Sequence, residues 1–463
     1  MAEMVHTVTE SVRPRRNTVR REPHFQIKPI FDALEVASVE YCLLRGQDEL
    51  HDDANNLEID LLVHPSRFRA LAGVAAKLGF VEWPAWGHFP HKFFLTYDEP
   101  HGRWIKLDVV TALYYGNPIR RYRVDLVESC LQSRRKELVY QLAPVHEFLT
   151  LFLHGLIDKA KIRESQRQRL KELRRVIEQD EALVQQVSAY IDELCSPFVD
   201  WHYVKRVLAE EKWESLLKHR VGITRRFFFN QPVISFTRSL LTRTIRKCRP
   251  LFFALFRRGI SVALLAPDGA GKSTLAAALQ QDLFLRARLI YMGTNLRASN
   301  LNLPTTKWFK AKIKSPEFER LGLFKIIIKA LNYLNRLAEQ WFRLLVSKAY
   351  RLKGRIVVYD RYVYDSYLAT KTNKIGKKLR RWLLRSMYPH PDLVVLLDAP
   401  GELLFRRKGE HSPEVLERQR EVFLSLQDKI PNMVVVDASL TAAEVQQQVT
   451  AAIWKRYCER FAQ

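Results

Sequence analysis

The stretch from Ala266 to Thr274 reads A-P-D-G-A-G-K-S-T. Two glycines, a lysine and two adjacent hydroxyls in that order suit the holding of phosphate. Gly269 and Gly271 let backbone N–H groups come close to phosphate oxygens. A helix starting at the lysine adds the partial positive charge of its N-terminus. Lys272 has the reach to meet the outer phosphates, and the Ser273 hydroxyl is a ligand type that Mg²⁺ accepts. The candidate binding set is therefore Pro267, Asp268, Gly269, Ala270, Gly271, Lys272, Ser273 and Thr274. The flanks agree with this chemistry. Ile260 to Leu265 is an apolar run of strand character, and Leu275-Ala276-Ala277-Ala278-Leu279 is strongly helix-forming. Strand, glycine loop and helix together give the context such a loop requires. One position departs from the common pattern, since Ala266 stands where the first glycine of these loops usually falls.

A second motif follows downstream. Gly354 to Val358 is an apolar approach to Asp360-Arg361-Tyr362, and Pro391 to Asp398 reads as another buried parallel strand. Arg406-Arg407-Lys408 and Arg418-Gln419-Arg420 are basic clusters beyond it. Phosphoryl transfer brings two anionic groups together, and a guanidinium offsets their repulsion. The loop wording, the Asp-Arg-Tyr and the P-D-L-x-x-x-L-D strand, in this order, resemble the thymidylate kinase family. The resemblance runs from Gly259 to the end of the sequence. It implies ATP and Mg²⁺ as cofactors and an ATP-dependent phosphotransferase of the nucleoside monophosphate kinase type. It also implies that Asp268 faces the sugar of the acceptor nucleotide, Arg361 binds the acceptor phosphate, and Asp360 organises the metal or acceptor side. Arg406 and Arg407 are the first choices for a lid over ATP, followed by Arg418 and Arg420. No proline-containing, thymine-reading segment follows Tyr291. ATP use is thus better supported than dTMP as acceptor, and another nucleotide or a phosphorylated small molecule such as a sugar stays open.

The front half carries other candidates. Val39 to Gly46 reads as a strand ending in glycine, Leu57 to Val63 as a second strand, and Trp104 to Val110 as a third. Phe25 to Ala37 and Pro65 to Ala76 read as helices. Glu58 and Asp60 are two apart on a strand and so share a face. With Asp108 they could hold Mg²⁺. Gly46, Glu58, Asp60 and Asp108 resemble the pattern of polymerase-β-type nucleotidyltransferases. Two features depart from it: Gln47 follows the glycine where a serine is usual, and Glu58 takes the place of an aspartate. His146, His154 and Asp158 are spaced for one helix face, either as a metal set or, more simply, as packed residues on an apolar helix.

The elements that must position these groups give an α/β reading. A doubly wound parallel P-loop kinase domain (259–463) follows an α+β nucleotidyltransferase-like domain (25–142) with a helical extension (143–212). Residues 1–24 read as a basic disordered arm, and 213–258 as a basic, aromatic linker helix. Glu339 and Arg343 are spaced to pair along a long helix. The net charge of +25 favours anionic partners. The linker could lie on an anionic membrane surface or pack between the domains. Nucleic acid is disfavoured, because no RNP-like pattern accompanies the charge. The five scattered cysteines point to a reducing compartment. No run approaches the roughly 20 apolar residues of a membrane span, and the N-terminus lacks a secretory core. The expected location is cytoplasmic, with the inner membrane face as the peripheral option. The oligomeric state stays open, a dimer included. Two-part chains of this kind also resemble proteins encoded among bacterial polysaccharide-biosynthesis genes. A nucleotide switch in such an assembly, and a nucleotidyltransferase supported by the kinase, are the two alternative readings.

Overall fold

The computed structural model describes residues 27–45, 56–117, 119–256, 259–282, 284–293, 301–315, 318, 324–368 and 388–461. The segment 1–24, Gly46-Gln47 of the nucleotidyltransferase-like pattern, and the stretch 371–385, which reads as a basic run in the sequence, lie outside them. In the second half, β10 (Ser261–Leu265), β11 (Arg288–Tyr291), β12 (Val357–Asp360), β13 (Leu393–Asp398) and β14 (Met433–Asp437) form one sheet in the order β11-β12-β10-β13-β14. All its pairings are parallel. Parallel strands covered on both faces must be apolar throughout, and every residue of β10 is buried. One face packs on α11 (Lys272–Gln281) and the C-terminal helix Ala442–Phe461, the other on the long helix Phe324–Leu352 and the Phe423 region. The strand order reverses direction on either side of β10. The loop leaving β10 therefore opens at the crevice where ligands of such sheets bind.

The first half is built on a seven-stranded mixed sheet, β3-β4-β5-β2-β1-β9-β8. Its central members are β1 (Tyr41–Arg45), β2 (Leu57–Val63), β4 (His91–Asp98) and β5 (Arg103–Val110), and β8 (Arg135–Lys136) and β9 (Tyr140–Gln141) close one edge. The strand expected third is in fact fifth in chain order. The short β3 (Val81–Trp83) and β4 precede it and were not legible, because Pro84, Gly87 and Pro90 punctuate that segment. The two helices are shifted slightly from expectation: Lys28–Val36, and Phe68–Lys77 after a 3₁₀ turn at Pro65–Arg67. Leu57, Ile59, Leu61 and Val63 alternate onto one apolar core with these helices. Period two then puts Glu58 and Asp60 on the opposite face.

Behind the sheet stands a helical bundle, which includes Pro144–Leu153, Glu164–Glu178, Glu181–Cys195 and Trp201–Ala209. The first of these gives way to a π-helical turn at His154–Lys159. The three-residue helix face expected of His146, His154 and Asp158 is broken there. His146 Nδ1 lies 3.0 Å from Ser133 Oγ, whereas His154 Nδ1 lies 3.1 Å from Asp158 Oδ2. Both histidines act as packed, hydrogen-bonded residues.

The two halves share a core. Trp83 and Trp104 of the front sheet pack on Trp454 and Tyr457 of the C-terminal helix, with ring centroids 5.3 Å apart for Trp83–Tyr457 and 5.0 Å for Trp104–Trp454. The indole N–H of Trp104 donates to Asp282 Oδ2 at 2.9 Å. The bridge is three helices, of which the last, α10 (Pro232–Phe256), is the longest. Arg238 lies over the Tyr114 ring, 3.5 Å from its centroid, and donates to the carbonyls of Arg120 and Phe89 at 2.7 Å each.

Candidate active site

The loop after β10 needs its glycines. Gly269 has φ 95° and Gly271 φ 82°, a left-handed region that other residues enter at a cost. A Cβ on Gly269 would also sit 2.6 Å from the Leu404 carbonyl oxygen. Gly271 caps α11, so that Lys272 and Ser273 fall in its first turn. Lys272 is buried, and its ammonium donates to the carbonyls of Ala266 at 2.8 Å and Pro267 at 2.7 Å. Burial, and then the nearby Arg361 guanidinium, push its pKa down to about 8. A cation held this way gains from an arriving polyphosphate.

Asp360 ends β12, and Arg361 follows it in a left-handed backbone, φ 66°. That conformation costs a non-glycine residue about 1–3 kcal/mol. Two carboxylates hold the arginine in place: Arg361 donates to Asp268 Oδ1 at 2.7 Å and to Asp365 Oδ2 at 3.2 Å. Burial works to raise the Asp268 carboxyl, but Arg361 and Lys272 outweigh it and hold it below the usual range. For Asp365 burial wins and the carboxyl is raised. Ser273 Oγ and Asp360 Oδ2 lie 3.5 Å apart. They form a pair of hard oxygen ligands at a helix start, a donor set that suits Mg²⁺.

Over these groups lies a cavity of about 390 Å³. Its walls bring together Asp268, Lys272, Ser273, Asp360 and Arg361 from the sequence-predicted set, and add Tyr291. Of the basic clusters expected to form a lid, Arg407 and Lys408 line it. Arg406 does not: it is turned out on the helix Gly401–Lys408, paired with Glu402 one turn earlier at 2.5 Å. Arg418 is exposed. Arg420 clamps Asp398 with bonds of 2.6 and 3.0 Å and pairs with Glu417. It braces the helix pair beyond β13, Gly401–Lys408 and Pro413–Leu424, away from the cavity lining.

Sequence reasoning missed Asp365 and Tyr291, and within the basic cluster it ranked Arg406 rather than Lys408 beside Arg407. The first carried a signal, an acid four residues after the arginine. The wall behind Tyr291 rests on Arg343, which is almost completely buried. It pairs with Glu339 as its spacing predicted, and donates to the carbonyls of Tyr291 at 3.1 Å and Gly293 at 3.0 Å.

The front sheet gathers the other acids. Glu58, Asp60 and Asp108 bring one oxygen each within 4.8 Å of one another, because Asp60 and Asp108 are register partners on parallel β2 and β5. Each is already matched with a cationic or imidazole group. Arg45 pairs with Asp60 at 2.9 Å, His91 Nδ1 lies 2.6 Å from Asp108, and Lys106 pairs with Glu58. Burial raises the Asp60 carboxyl, against the pull of Arg45. Neither Arg45 nor His91 was singled out from sequence.

A parallel sheet with a glycine loop at its reversal point, a buried lysine and an arginine closing the third strand define a P-loop phosphotransferase. Comparison with known proteins narrows this. The thymidylate kinase family model matches residues 267–449. A probable thymidylate kinase of Archaeoglobus fulgidus is 31% identical over 202 residues, which span 42% of this chain and 93% of that protein. A thymidylate kinase of Xanthomonas campestris pv. campestris is 29% identical over 212 residues, 44% of this chain and 86% of that protein. A solved thymidylate kinase structure from Candida albicans aligns over 43% of this chain and 93% of its own, at 22% identity and a TM-score of 0.32, too slight a likeness to bear on the fold. Through its C-terminal half, the chain belongs to the thymidylate kinase family. It is a nucleotide kinase resembling thymidylate kinase, a nucleoside monophosphate kinase-like phosphotransferase.

Proposed function

We propose that the protein transfers the γ-phosphoryl group of ATP to a nucleoside monophosphate, with dTMP the first candidate acceptor and Mg²⁺ required. The observation that carries this reading is the Asp268–Arg361–Asp365 chain beside buried Lys272. It puts an arginine, already oriented by two carboxylates, at the rim of a phosphate-binding loop. Lys272 and the loop amides from Asp268 to Thr274 bind the ATP phosphates. Ser273 and Asp360 hold the metal, which supplies charge neutralisation between the phosphates when bound. Arg361 binds the acceptor phosphate and Asp268 orients the acceptor. Arg407 and Lys408 cover the donor side. ADP release measured with dTMP, the other nucleoside monophosphates and phosphorylated sugars tests the reading. Turnover with dTMP supports it in full. Turnover with another monophosphate alone moves the acceptor assignment. Silence with every acceptor overturns it.

The domain boundaries we infer are 25–142, 143–212, 213–258 and 259–463, with a polymerase-β-type arrangement in the first. Supporting this is the convergence of Glu58, Asp60 and Asp108 from adjacent parallel strands, with Asp60 and Asp108 opposite each other. Manganese binding that is lost in Asp60→Asn, read by electron paramagnetic resonance, tests it. An unchanged signal removes the metal role.

A further observation favours a membrane-surface location. No Asp or Glu occurs between Glu214 and Asp268. The face of α10 opposite Ser235, Ser239 and Phe253 exposes Val233 (71%), Phe236 (63%), Leu240 (58%), Leu251 (57%) and Leu255 (67%), with Arg243 and Lys247 beside them. An apolar face edged only by cations suits an anionic bilayer. No helix among the described residues is long and apolar enough to cross a membrane. Flotation with phosphatidylserine vesicles at low salt, lost in Leu240→Asp/Leu251→Asp, is the expected result. Absence of wild-type flotation excludes this location.

A further inference from the structure

The front half holds a second cationic cavity, separate from the kinase site. A chamber of about 200 Å³ opens between the front sheet, the π-turn and α10, walled by His88, Gly116, Arg120, His154, Lys159 and Arg246. A narrower chamber shares Arg120, His154 and Asp158 with it and reaches inward to Arg45 and His91. Those two residues are the ones that pair with Asp60 at 2.9 Å and Asp108 at 2.6 Å. The wider chamber and the narrow one are thus neighbours through Arg120, His154 and Asp158, and the narrow one ends at two partners of the acidic cluster.

The charge of the lining is one-sided. Asp158 is the one acid among the described residues of either chamber. Its oxygens are engaged, one accepting the Gly116 N–H at 2.6 Å and the other lying 3.1 Å from His154 Nδ1. Arg120, Lys159 and Arg246 come from three different elements: the loop after Gly116, the π-turn and α10. Arg246 spends its Nε on the Gly87 carbonyl at 3.1 Å, which fixes its stem at the mouth. No carboxylate pairs with Arg120 or Lys159 among the described residues. The imidazole of His88 lies at the same wall. Burial, then the guanidinium groups of Arg249, Arg246 and Arg120, push its pKa down to about 4. Like charges gathered around a concave space repel one another, and a bound anion relieves that repulsion.

We propose that this chamber is a binding site for a phosphate- or diphosphate-bearing small molecule. The phosphoryl oxygens meet Arg120, Lys159 and Arg246, and the rest of the ligand lies in the wider chamber and its mouth, beside His88 and Gly116. The proposal deepens the front-domain reading given above, yet it needs no metal and no reaction there. It makes α10 a shared element, one face on the site and the other outward.

The test is calorimetric titration of the full chain with inorganic pyrophosphate in EDTA, which separates anion binding from any metal role of the acidic cluster. Wild-type protein should show two classes of binding. Lys272→Ala should weaken the class at the kinase loop. Arg120→Ala/Lys159→Gln should weaken the other by about tenfold or more, the loss of charge-assisted hydrogen bonds, with ADP affinity unchanged. Lys159 is exposed, so Lys159→Gln alone is a variant that leaves folding intact, and it should weaken the same class several-fold. Titrations of both front variants that superimpose on wild type would overturn the proposal. So would a single binding class that Lys272→Ala abolishes. Repeating the titration with a sugar phosphate and with a nucleoside monophosphate identifies which kind of ester the wider chamber accepts.

Discussion

The kinase site and the front acidic cluster use similar parts in opposite ways. In the kinase site the buried cation, Lys272, is held by backbone carbonyls at 2.8 and 2.7 Å rather than by a carboxylate. Its positive charge is left for a ligand. In the front cluster every carboxylate already has a partner: Arg45 with Asp60, His91 with Asp108, Lys106 with Glu58. A metal arriving there must displace or outbid these contacts, whereas a polyphosphate arriving at Lys272 displaces only carbonyl bonds. The glycine loop is therefore prepared for its ligand, and the front cluster stays closed on itself until a cation competes.

Removing Arg361 should break the kinase side of this contrast most visibly after Lys272 itself. Arg361→Ala should lower kcat by about 100-fold, the scale of losing one group that stabilises transition-state charge. Arg361→Lys should recover little, since a lysine cannot span Asp268 and Asp365 while presenting a fork to phosphate. Steady-state kinetics with the best acceptor checks both. Recovery of more than half the rate by lysine would make the fork irrelevant.

The two regions are also joined, and Trp454→Ala should test the joint. This ring packs against Trp83 and Trp104. Truncating a buried Trp costs about 3–5 kcal/mol, so the unfolding midpoint should fall clearly. Both halves should still unfold in one calorimetric transition. Two resolved transitions in the wild type would mean that the shared core does not couple them.

A smaller effect follows from the depressed pKa of Lys272. In the free protein the ammonium loses its proton as pH rises through about 8, well below the ordinary lysine value of 10.5. Bound phosphates favour the charged form and raise that value again. ATP binding between about pH 8 and pH 9 should therefore take up protons, detected by titration in buffers of different ionisation enthalpy. No uptake, or proton release, would show that Lys272 is not the group meeting phosphate. The smallest effect is expected of Arg406→Ala, less than about twofold in kcat, because a surface pair with Glu402 contributes little. Lys408→Ala should raise the KM for ATP instead.

What could be read beforehand follows from the range of each interaction. The loop from Ala266 to Thr274, the Asp-Arg-Tyr strand end and the Glu339–Arg343 pair are local, and their geometry follows from helix and strand periods. The pairing of Arg361 with Asp268 was not legible, since the contact crosses from one strand end to another. The choice between Arg406 and Lys408 turned on the phase of one short helix, which periodicity alone fixes poorly so near a left-handed end at Gly409, φ 67°. The joint between Trp104 and Trp454 is a packing event between distant parts of the chain, with no mark in either segment. The basic chamber was equally hidden, because Arg120, Lys159 and Arg246 converge from separate elements.

Two variants side by side decide which half of the molecule carries the chemistry. Transfer of labelled γ-phosphate from ATP to dTMP and to the other nucleoside monophosphates is followed in wild type, Lys272→Ala and Asp60→Asn. Transfer should fall by two to three orders of magnitude (about 100- to 1,000-fold) in Lys272→Ala and stay near wild type in Asp60→Asn. Transfer that survives in Lys272→Ala and vanishes in Asp60→Asn would put the chemistry in the front half and contradict the kinase reading.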